Sequence, residues 1–219
     1  GVCPEIWACE HPEHIRELQK RYYDSGSDVV LSFTMGANRK KLEYYDRNID
    51  VVKLNRELAL ISRQAAGKNG LVAGDISTTG KFIAPIGDIS FEEAVNIYKE
   101  QVRGLLEGGV DFFFIETMID LQETRAAVLA VKESCDLPVC ASMTFGEDGR
   151  TVTGTDPVTA VVVLQSLGAD AIGCNCSTGP RQMLDIIAAM KEVAKVPLLA
   201  KPNAGLPRLV DSKTVFSME

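Results

Sequence analysis

The sequence lacks a surplus of positive charge. Its 219 residues include 23 Lys and Arg against 30 Asp and Glu, which gives a formal net charge of −7 at neutral pH. Proteins that bind nucleic acid neutralise phosphates with a basic face. We therefore expect no nucleic-acid partner.

Long apolar runs are also absent. No stretch approaches the eighteen or so apolar residues of a membrane span, and residues 1–9 lack the basic and apolar regions of a signal peptide. The six cysteines, two of them separated by one residue (Cys174 and Cys176), do not follow the disulfide pattern of a small secreted domain. These absences predict no membrane partner, a cytoplasmic location, and cysteines that are reduced thiols or metal ligands.

The residues that are present predict alternating strands and helices. Hydrophobic residues make up 46% of the chain, enough for one large core, and no linker divides it, so residues 1–219 are interpreted as a single domain. Short apolar runs predict six strands, and a helix-length segment fills each gap between them. The predicted strands are Asp28–Thr34, Leu71–Ser77, Asp111–Thr117, Pro138–Phe145, Ala169–Cys176 and Pro197–Asn203.

Local signals mark where several of these helices begin and end. Ser90 with Glu93, and Asp120 with Glu123, have the spacing of capping boxes, and a first-turn proline follows Asp156 and Gly179. Three helices are predicted to end at a glycine that is followed two residues later by an aspartate at the entry of an apolar strand. Those three joints are Gly26–Asp28, Gly109–Asp111 and Gly168–Asp170. Strands this apolar are typical of a parallel sheet covered on both faces.

Two parallel α/β architectures fit this alternation, an open doubly wound sheet and a closed barrel. The glycine-rich dinucleotide fingerprint is missing, because the first strand is followed only by Met35–Asn38. Polar residues instead collect at the predicted carboxyl ends of many strands, where barrel enzymes build their sites. The sequence therefore predicts a (β/α)8 TIM barrel that is incomplete, with about six of eight units, and we expect the chain to be truncated at both ends.

Cys176 is the first candidate for chemistry. The segment 173–180 places this thiol between an apolar strand and the start of a helix, whose positive end lowers a thiol pKa. The alternative is a buried cysteine that only fills space, which is also the interpretation of Cys174. A metal pair of Cys174 and Cys176, joined by Cys140, is disfavoured because alternate side chains on a strand lie about 7 Å apart.

Two further candidates follow other strands. Glu116 closes the apolar run 112–115, where its carboxylate could bind an ammonium group or act as a base; the alternative is an ordinary ion pair. Asn203 could simply fix a turn. His11 and His14, placed before the first helix, are interpreted as surface residues.

Taken together, several segments resemble the homocysteine S-methyltransferase family, most closely the homocysteine-binding barrel of cobalamin-dependent methionine synthase. They occur in order across nearly the whole chain, each at a predicted strand end. The segments are 36–39 (GANR), 115–117 (IET), 143–145 (MTF), 153–157 (TGTDP), 175–177 (NCS) with Gly179 and Pro180, and 201–205 (KPNAG).

The resemblance implies a site and a reaction. In that family three cysteine thiolates hold Zn²⁺, and Cys176 matches one of them, which makes it the predicted catalytic residue and metal ligand. The other two form an adjacent pair that we expect beyond Glu219. Glu116 matches the carboxylate that binds the amino group of homocysteine, with Thr117 and Asn175 as further substrate-binding residues. Asn203 matches a residue that occupies the fourth position on zinc before substrate arrives.

The implied reaction transfers a methyl group to homocysteine and forms methionine. Relatives that use betaine carry a zinc-binding Tyr where this chain has Gly36, which favours methylcobalamin on a corrinoid-binding domain or protein as the donor. The segment 77–80 (STTG) departs from the family's Gly-Pro pattern. The resemblance therefore does not define the side of the rim that faces the methyl donor. Alternatives are another donor (S-methylmethionine or betaine), another thiol or selenol as acceptor, and an inactive barrel or scaffold without zinc.

Overall fold

The computed structural model describes residues 2–46, 48–204, 207–210 and 213–216, and within them strands and helices alternate as predicted. Eight helices and eight strands are defined in these ranges. The helices are α1 (Pro4–Glu10), α2 (Pro12–Asp24), α3 (Arg39–Leu42), α4 (Val51–Ala66), α5 (Phe91–Glu107), α6 (Leu121–Lys132), α7 (Pro157–Ser166) and α8 (Pro180–Lys191). The strands are β1 (Val29–Leu31), β2 (Leu71–Ile76), β3 (Phe112–Met118), β4 (Val139–Met143), β5 (Ala171–Asn175), β6 (Leu198–Lys201), β7 (Pro207–Val210) and β8 (Lys213–Phe216).

Strand order decides between the two candidate architectures. Strands β1 to β6 form one parallel sheet in chain order, each hydrogen-bonded to the next. A doubly wound sheet reverses its order at a switch point, whereas successive units of a barrel add strands in one direction. The α/β prediction of a TIM-barrel-like fold with six units is therefore confirmed. The antiparallel hairpin of β7 and β8 was not predicted.

The three glycine and aspartate joints form as the sequence predicts. Gly26, Gly109 and Gly168 have φ values of 99°, 77° and 88°, the left-handed conformation that ends a helix without steric strain. Asp111 then accepts a hydrogen bond from the N–H of Val72 on the neighbouring strand at 2.7 Å. Asp170 does the same for the N–H of Val139 at 2.8 Å. Each aspartate thus ties the entry of its own strand to the strand before it.

The predicted helix starts are confirmed, but the Glu123 carboxylate does not complete its predicted capping box. Ser90 and Asp120 accept the N–H of Glu93 and Glu123, each at 3.0 Å. The Glu93 carboxylate pairs with Lys40 at 2.7 Å; this contact and a hydrogen bond with the Ser90 backbone lower its pKa. The Glu123 carboxylate is buried and accepts three hydrogen bonds, from the N–H and hydroxyl of Thr79 and from the hydroxyl of Tyr98. A buried carboxylate three residues after the N-cap forms hydrogen bonds with the donors that are buried around it.

The helices cover the outer face of the sheet. Along α5, buried residues recur at helical spacing from Ala94 to Leu105 and enter the main core, which also contains Phe113 and Ile115 of β3. Gly104 allows α4 to approach closely, because a Cβ at this position would lie 2.4 Å from the carbonyl oxygen of Val52. The opposite side chains of β3, at Phe114 and Glu116, face the inside of the curved sheet.

The N-terminal segment differs in detail from its prediction. His14 lies within α2 rather than before the first helix, although its side chain is exposed as expected. A second apolar cluster joins α1 and α2 to α4 and includes Ala8, Ile15 and Leu58. No described helix is long and apolar enough to cross a membrane.

Candidate functional site

Polar side chains gather where the parallel strands end, and most of them are buried. Such groups are buried only when a partner or a function compensates for lost hydration. The buried polar residues at this rim include Thr34, Asp75, Ser77, Glu116 and Asn175. All five lie at strand ends that the sequence predicts to carry polar groups.

Asn175, the last residue of β5, organises one part of this rim. Its Oδ1 accepts the backbone N–H of Thr117 at 2.9 Å and the hydroxyl of Ser142 at 2.7 Å. Its Nδ2 donates to the Thr117 hydroxyl at 2.8 Å. The Thr144 hydroxyl donates to its carbonyl oxygen at 2.9 Å. One amide side chain therefore connects the ends of β3, β4 and β5.

The end of β3 is irregular at the position where Thr117 binds Asn175. The pairing register between β3 and β4 shifts between Ile115 and Met118, and Thr117 has a φ of 58°. That conformation is strained for a β-branched residue, and strand irregularities of this kind redirect side chains near functional sites. The backbone here is therefore held by the hydrogen bonds around it.

Cys176 lies in an equally unusual turn. Cys176 and Ser177 both have left-handed backbones, with φ values of 61° and 63°. The Cys176 N–H donates to the carbonyl oxygen of Lys201 at 3.2 Å. Its partly exposed Sγ lies 3.9 Å from Oγ1 of Thr117. The thiol thus lies at the strand ends, beside the residue that follows Glu116.

Asn203 is fixed to the same turn. Its backbone N–H donates to the carbonyl oxygen of Thr178 at 3.2 Å, and the Thr178 N–H donates to the carbonyl oxygen of Cys176 at 2.7 Å. The two predicted metal ligands, Cys176 and Asn203, therefore lie in neighbouring, hydrogen-bonded loops. The last residue of the 201–205 segment, Gly205, lies outside the described residues.

Glu116 has a partner that the sequence analysis missed. The carboxylate is only 6% exposed, and its Oε2 lies 2.5 Å from Nζ of Lys201. The same ammonium lies 5.4 Å from the centre of the Phe114 ring, within the range of a cation–π contact. A lysine that ends an otherwise apolar strand was the available signal. The sequence alone does not indicate the pair, because Lys201 and Glu116 are 85 residues apart in the chain.

Asp75 provides a second carboxyl group beside this pair. Burial raises its pKa well above the usual 3.8, and the nearby Glu116 charge raises it further, while Lys201 and Lys41 act in the opposite direction. Its Oδ1 has no hydrogen-bond partner. The residue lines a cavity of about 450 Å³ together with Glu5, Thr34, Gly36 and Lys41. This cavity is open space beside the candidate site.

The described residues alone do not form a complete zinc site. No group of three His, Cys, Asp or Glu side chains among them could hold a metal ion. Cys174 is buried and burial raises its pKa to about 12, as expected for a cysteine that fills space. Burial also raises the pKa of Cys140. Cys176 remains the thiol whose position at the strand ends and partial exposure suit a ligand.

Comparison with known proteins identifies the family. The model of the family described as homocysteine S-methyltransferase matches residues 2–218. Methionine synthases of Mycobacterium leprae and Mycobacterium tuberculosis are 29% and 30% identical over 218 residues, which cover 94% of this chain and 18% of each enzyme. Betaine–homocysteine S-methyltransferase 1 of Mus musculus is 33% identical over 190 residues, covering 84% of this chain and 46% of that protein. The chain thus spans less than half of these relatives.

Solved structures agree on the fold. The homocysteine methyltransferase MmuM from Escherichia coli, in its metallated form, superimposes with a TM-score of 0.78 at 20% identity, covering 94% of this chain and 78% of that one. Its apo form gives a TM-score of 0.75 at 22% identity. Because the family model matches nearly every residue, the chain belongs to the homocysteine S-methyltransferase family.

Proposed function

We propose that this chain provides the homocysteine-binding face of an enzyme that transfers a methyl group to a zinc-bound homocysteine thiolate and forms methionine. Cys176 is a zinc ligand, and Asn203 holds the remaining position on zinc before the substrate arrives. Glu116 binds the substrate ammonium, and Thr117 and Asn175 complete the substrate pocket.

The observation that carries this proposal is the position of Cys176 against the end of β3. Its Sγ lies 3.9 Å from the Thr117 hydroxyl, and Glu116 precedes Thr117 in the same strand. Homocysteine has its ammonium and thiol three carbons apart, so a single substrate molecule has to reach both groups. A thiolate ligand and a carboxylate at adjacent positions on one rim suit this requirement.

Zinc is proposed for a chemical reason. A free thiol has a pKa near 8.5, and Zn²⁺, when bound, removes the thiol proton and keeps the sulfur nucleophilic. Such catalytic sites use three protein ligands and leave one position for the substrate. The proposal places the other two thiolates in an adjacent cysteine pair beyond Glu219. We therefore expect the 219-residue chain alone to hold zinc weakly and to be inactive. Tight stoichiometric zinc binding by that chain would contradict this expectation.

The proposed methyl donor is a methylcorrinoid carried on another domain or subunit. The position that would carry a tyrosine in betaine-using relatives is Gly36. The Glu5 carboxylate lies beside it, with Oε1 2.3 Å from the place where a Cβ at Gly36 would be. The missing tyrosine supports a donor other than betaine. S-Methylmethionine is the next candidate.

The deciding experiment measures zinc content and methionine formation by the full-length protein. Cys176→Ala should lose zinc and turnover while keeping its circular dichroism spectrum, because the thiol is on the rim rather than in the core. Cys135→Ala is the matched control, since this partly buried cysteine follows α6, away from the strand ends. Full turnover by Cys176→Ala would refute the assignment.

Two further measurements separate the alternatives. Methylcobalamin, S-methylmethionine and betaine are each supplied with homocysteine, and then other thiols and selenols replace homocysteine. Turnover with only one combination identifies donor and acceptor. The downstream reading frame tests the scaffold alternative, because a continuation without an adjacent cysteine pair would argue against the enzyme.

A further inference from the structure

The proposed function does not account for the contact between Lys201 and Glu116. A carboxylate that is to bind a substrate ammonium is here already occupied by an ammonium of the protein. The two residues come from β6 and β3, and Lys201 reaches Glu116 across the inside of the sheet. A substrate that binds Glu116 has to displace Lys201.

Displacement alone would leave a charge without its partner. Glu116 is almost completely buried, whereas the Lys201 side chain is 49% exposed. Separating charges in a partly desolvated site is unfavourable unless each finds a new partner. An α-amino acid brings both signs at once, because its ammonium and carboxylate are attached to the same carbon. Insertion of such a zwitterion gives Glu116 a cation and Lys201 an anion.

We propose that Lys201 binds the carboxylate of the amino-acid substrate, so that the zwitterion enters between Lys201 and Glu116 with its ammonium on Glu116. The proposal rests on the proposed function and adds the residue that selects an α-amino acid over a simple thiol. In the empty protein Lys201 keeps the Glu116 charge compensated.

The surroundings allow Lys201 to make this exchange. Its ammonium lies against the Phe114 ring, which lets the charge shift away from Glu116 while it keeps a favourable contact. Asn175, the β5 residue paired with Lys201, is held by hydrogen bonds to Thr117 and Ser142, which fixes the backbone beside it. A half-exposed side chain on a fixed strand can move without disturbing the core.

The test uses the full-length protein with zinc bound. It compares the binding of three small thiol compounds. Homocysteine carries both charged groups, 3-aminopropane-1-thiol lacks the carboxylate, and 4-mercaptobutyrate lacks the ammonium. Lys201→Met should raise the dissociation constants of homocysteine and 4-mercaptobutyrate about tenfold or more, the usual effect of losing a charged hydrogen bond. The same change should leave 3-aminopropane-1-thiol unchanged or bound more tightly, because a competing cation is removed from Glu116.

Matched variants complete the experiment. Lys201→Arg should restore binding of homocysteine, and Lys68→Met should change none of the three constants, because Lys68 is an exposed residue at the opposite end of β2. Equal weakening of all three thiols by Lys201→Met, tighter binding of homocysteine, or no change would each overturn the inference. If the unaltered protein binds and methylates no homocysteine, the proposed function itself fails, which is a distinct result.

Discussion

Asn175 and Thr117 are joined by two hydrogen bonds that run in opposite directions. The Asn175 Oδ1 accepts the Thr117 N–H at 2.9 Å, and its Nδ2 donates to the Thr117 hydroxyl at 2.8 Å. Thr117 has a left-handed φ of 58° and follows Glu116, while Asn175 precedes Cys176. This pair therefore holds the two most important candidate residues at a fixed separation.

Replacing Asn175 should disturb both fold and site. Asn175→Ala removes the acceptor of the buried Ser142 hydroxyl and of the partly buried Thr117 N–H. A buried group left unpaired costs roughly 1–3 kcal/mol. We expect a lower free energy of unfolding in urea and a larger loss of turnover than the loss of stability explains. Asn96→Ala, an exposed asparagine on α5, is the control. A fully active Asn175→Ala protein would show that this pair does not position the site.

Glu116→Gln should weaken homocysteine binding more than zinc binding. The amide keeps the shape of the side chain but loses the charge that attracts an ammonium, so we expect the dissociation constant to rise about tenfold or more. Zinc content measured on the same sample should stay unchanged. Glu92→Gln, an exposed glutamate in the first turn of α5, is the control. Equal losses of substrate and zinc would indicate that Glu116 serves the metal.

The raised pKa of Asp75 predicts a specific pH dependence of stability. Burial raises the pKa of Asp75 in the folded protein, with the Glu116 charge adding to it, so the folded state holds this proton more tightly than the unfolded chain does. The resulting stabilisation is complete below the usual pKa of 3.8 and is lost as the pH rises through the raised pKa.

Asp75→Asn removes this titration. The variant should match the original protein near pH 4 and exceed it in free energy of unfolding at pH 8, by roughly 1–3 kcal/mol, the range for an uncompensated buried polar group. Urea unfolding at several pH values measures the difference. Asp148→Asn, in the loop after β4, should give a difference that does not vary in this way. A flat difference for Asp75→Asn would contradict the prediction.

The stability of the protein should depend on the acceptor oxygen of the Glu123 side chain. Glu123→Leu leaves the buried N–H of Thr79 without its acceptor. The hydroxyls of Thr79 and Tyr98 keep only their longer contacts, with the carbonyl oxygens of Lys81 at 3.5 Å and Ser77 at 3.2 Å. We expect this to destabilise the protein by roughly 1–3 kcal/mol. Glu123→Gln keeps an oxygen for these donors and should cost far less. Thermal unfolding of the two variants compares them directly. Similar melting temperatures would mean that the hydrogen bonds contribute little.

Some features of the candidate site follow from the sequence and others do not. Glu116, Asn175 and Cys176 could be located because each directly follows or ends an apolar strand, a signal confined to a few neighbouring residues. Lys201 was not identified as a partner of Glu116, and Asn175 was not identified as the connector of three strands. Both roles depend on hydrogen bonds to residues at least 31 positions away in the chain.

The sequence by itself determined the alternation of strands and helices, the glycine turns at Gly26, Gly109 and Gly168, and the parallel sheet, because these depend on local backbone preferences and on the spacing of apolar residues. Only the tertiary structure decided the strained backbones of Thr117 and Cys176 and the partners of Glu116, Glu123 and Asp75. A strained conformation or a buried charge persists only where distant groups compensate for it, and which groups those are depends on how the strands pack together.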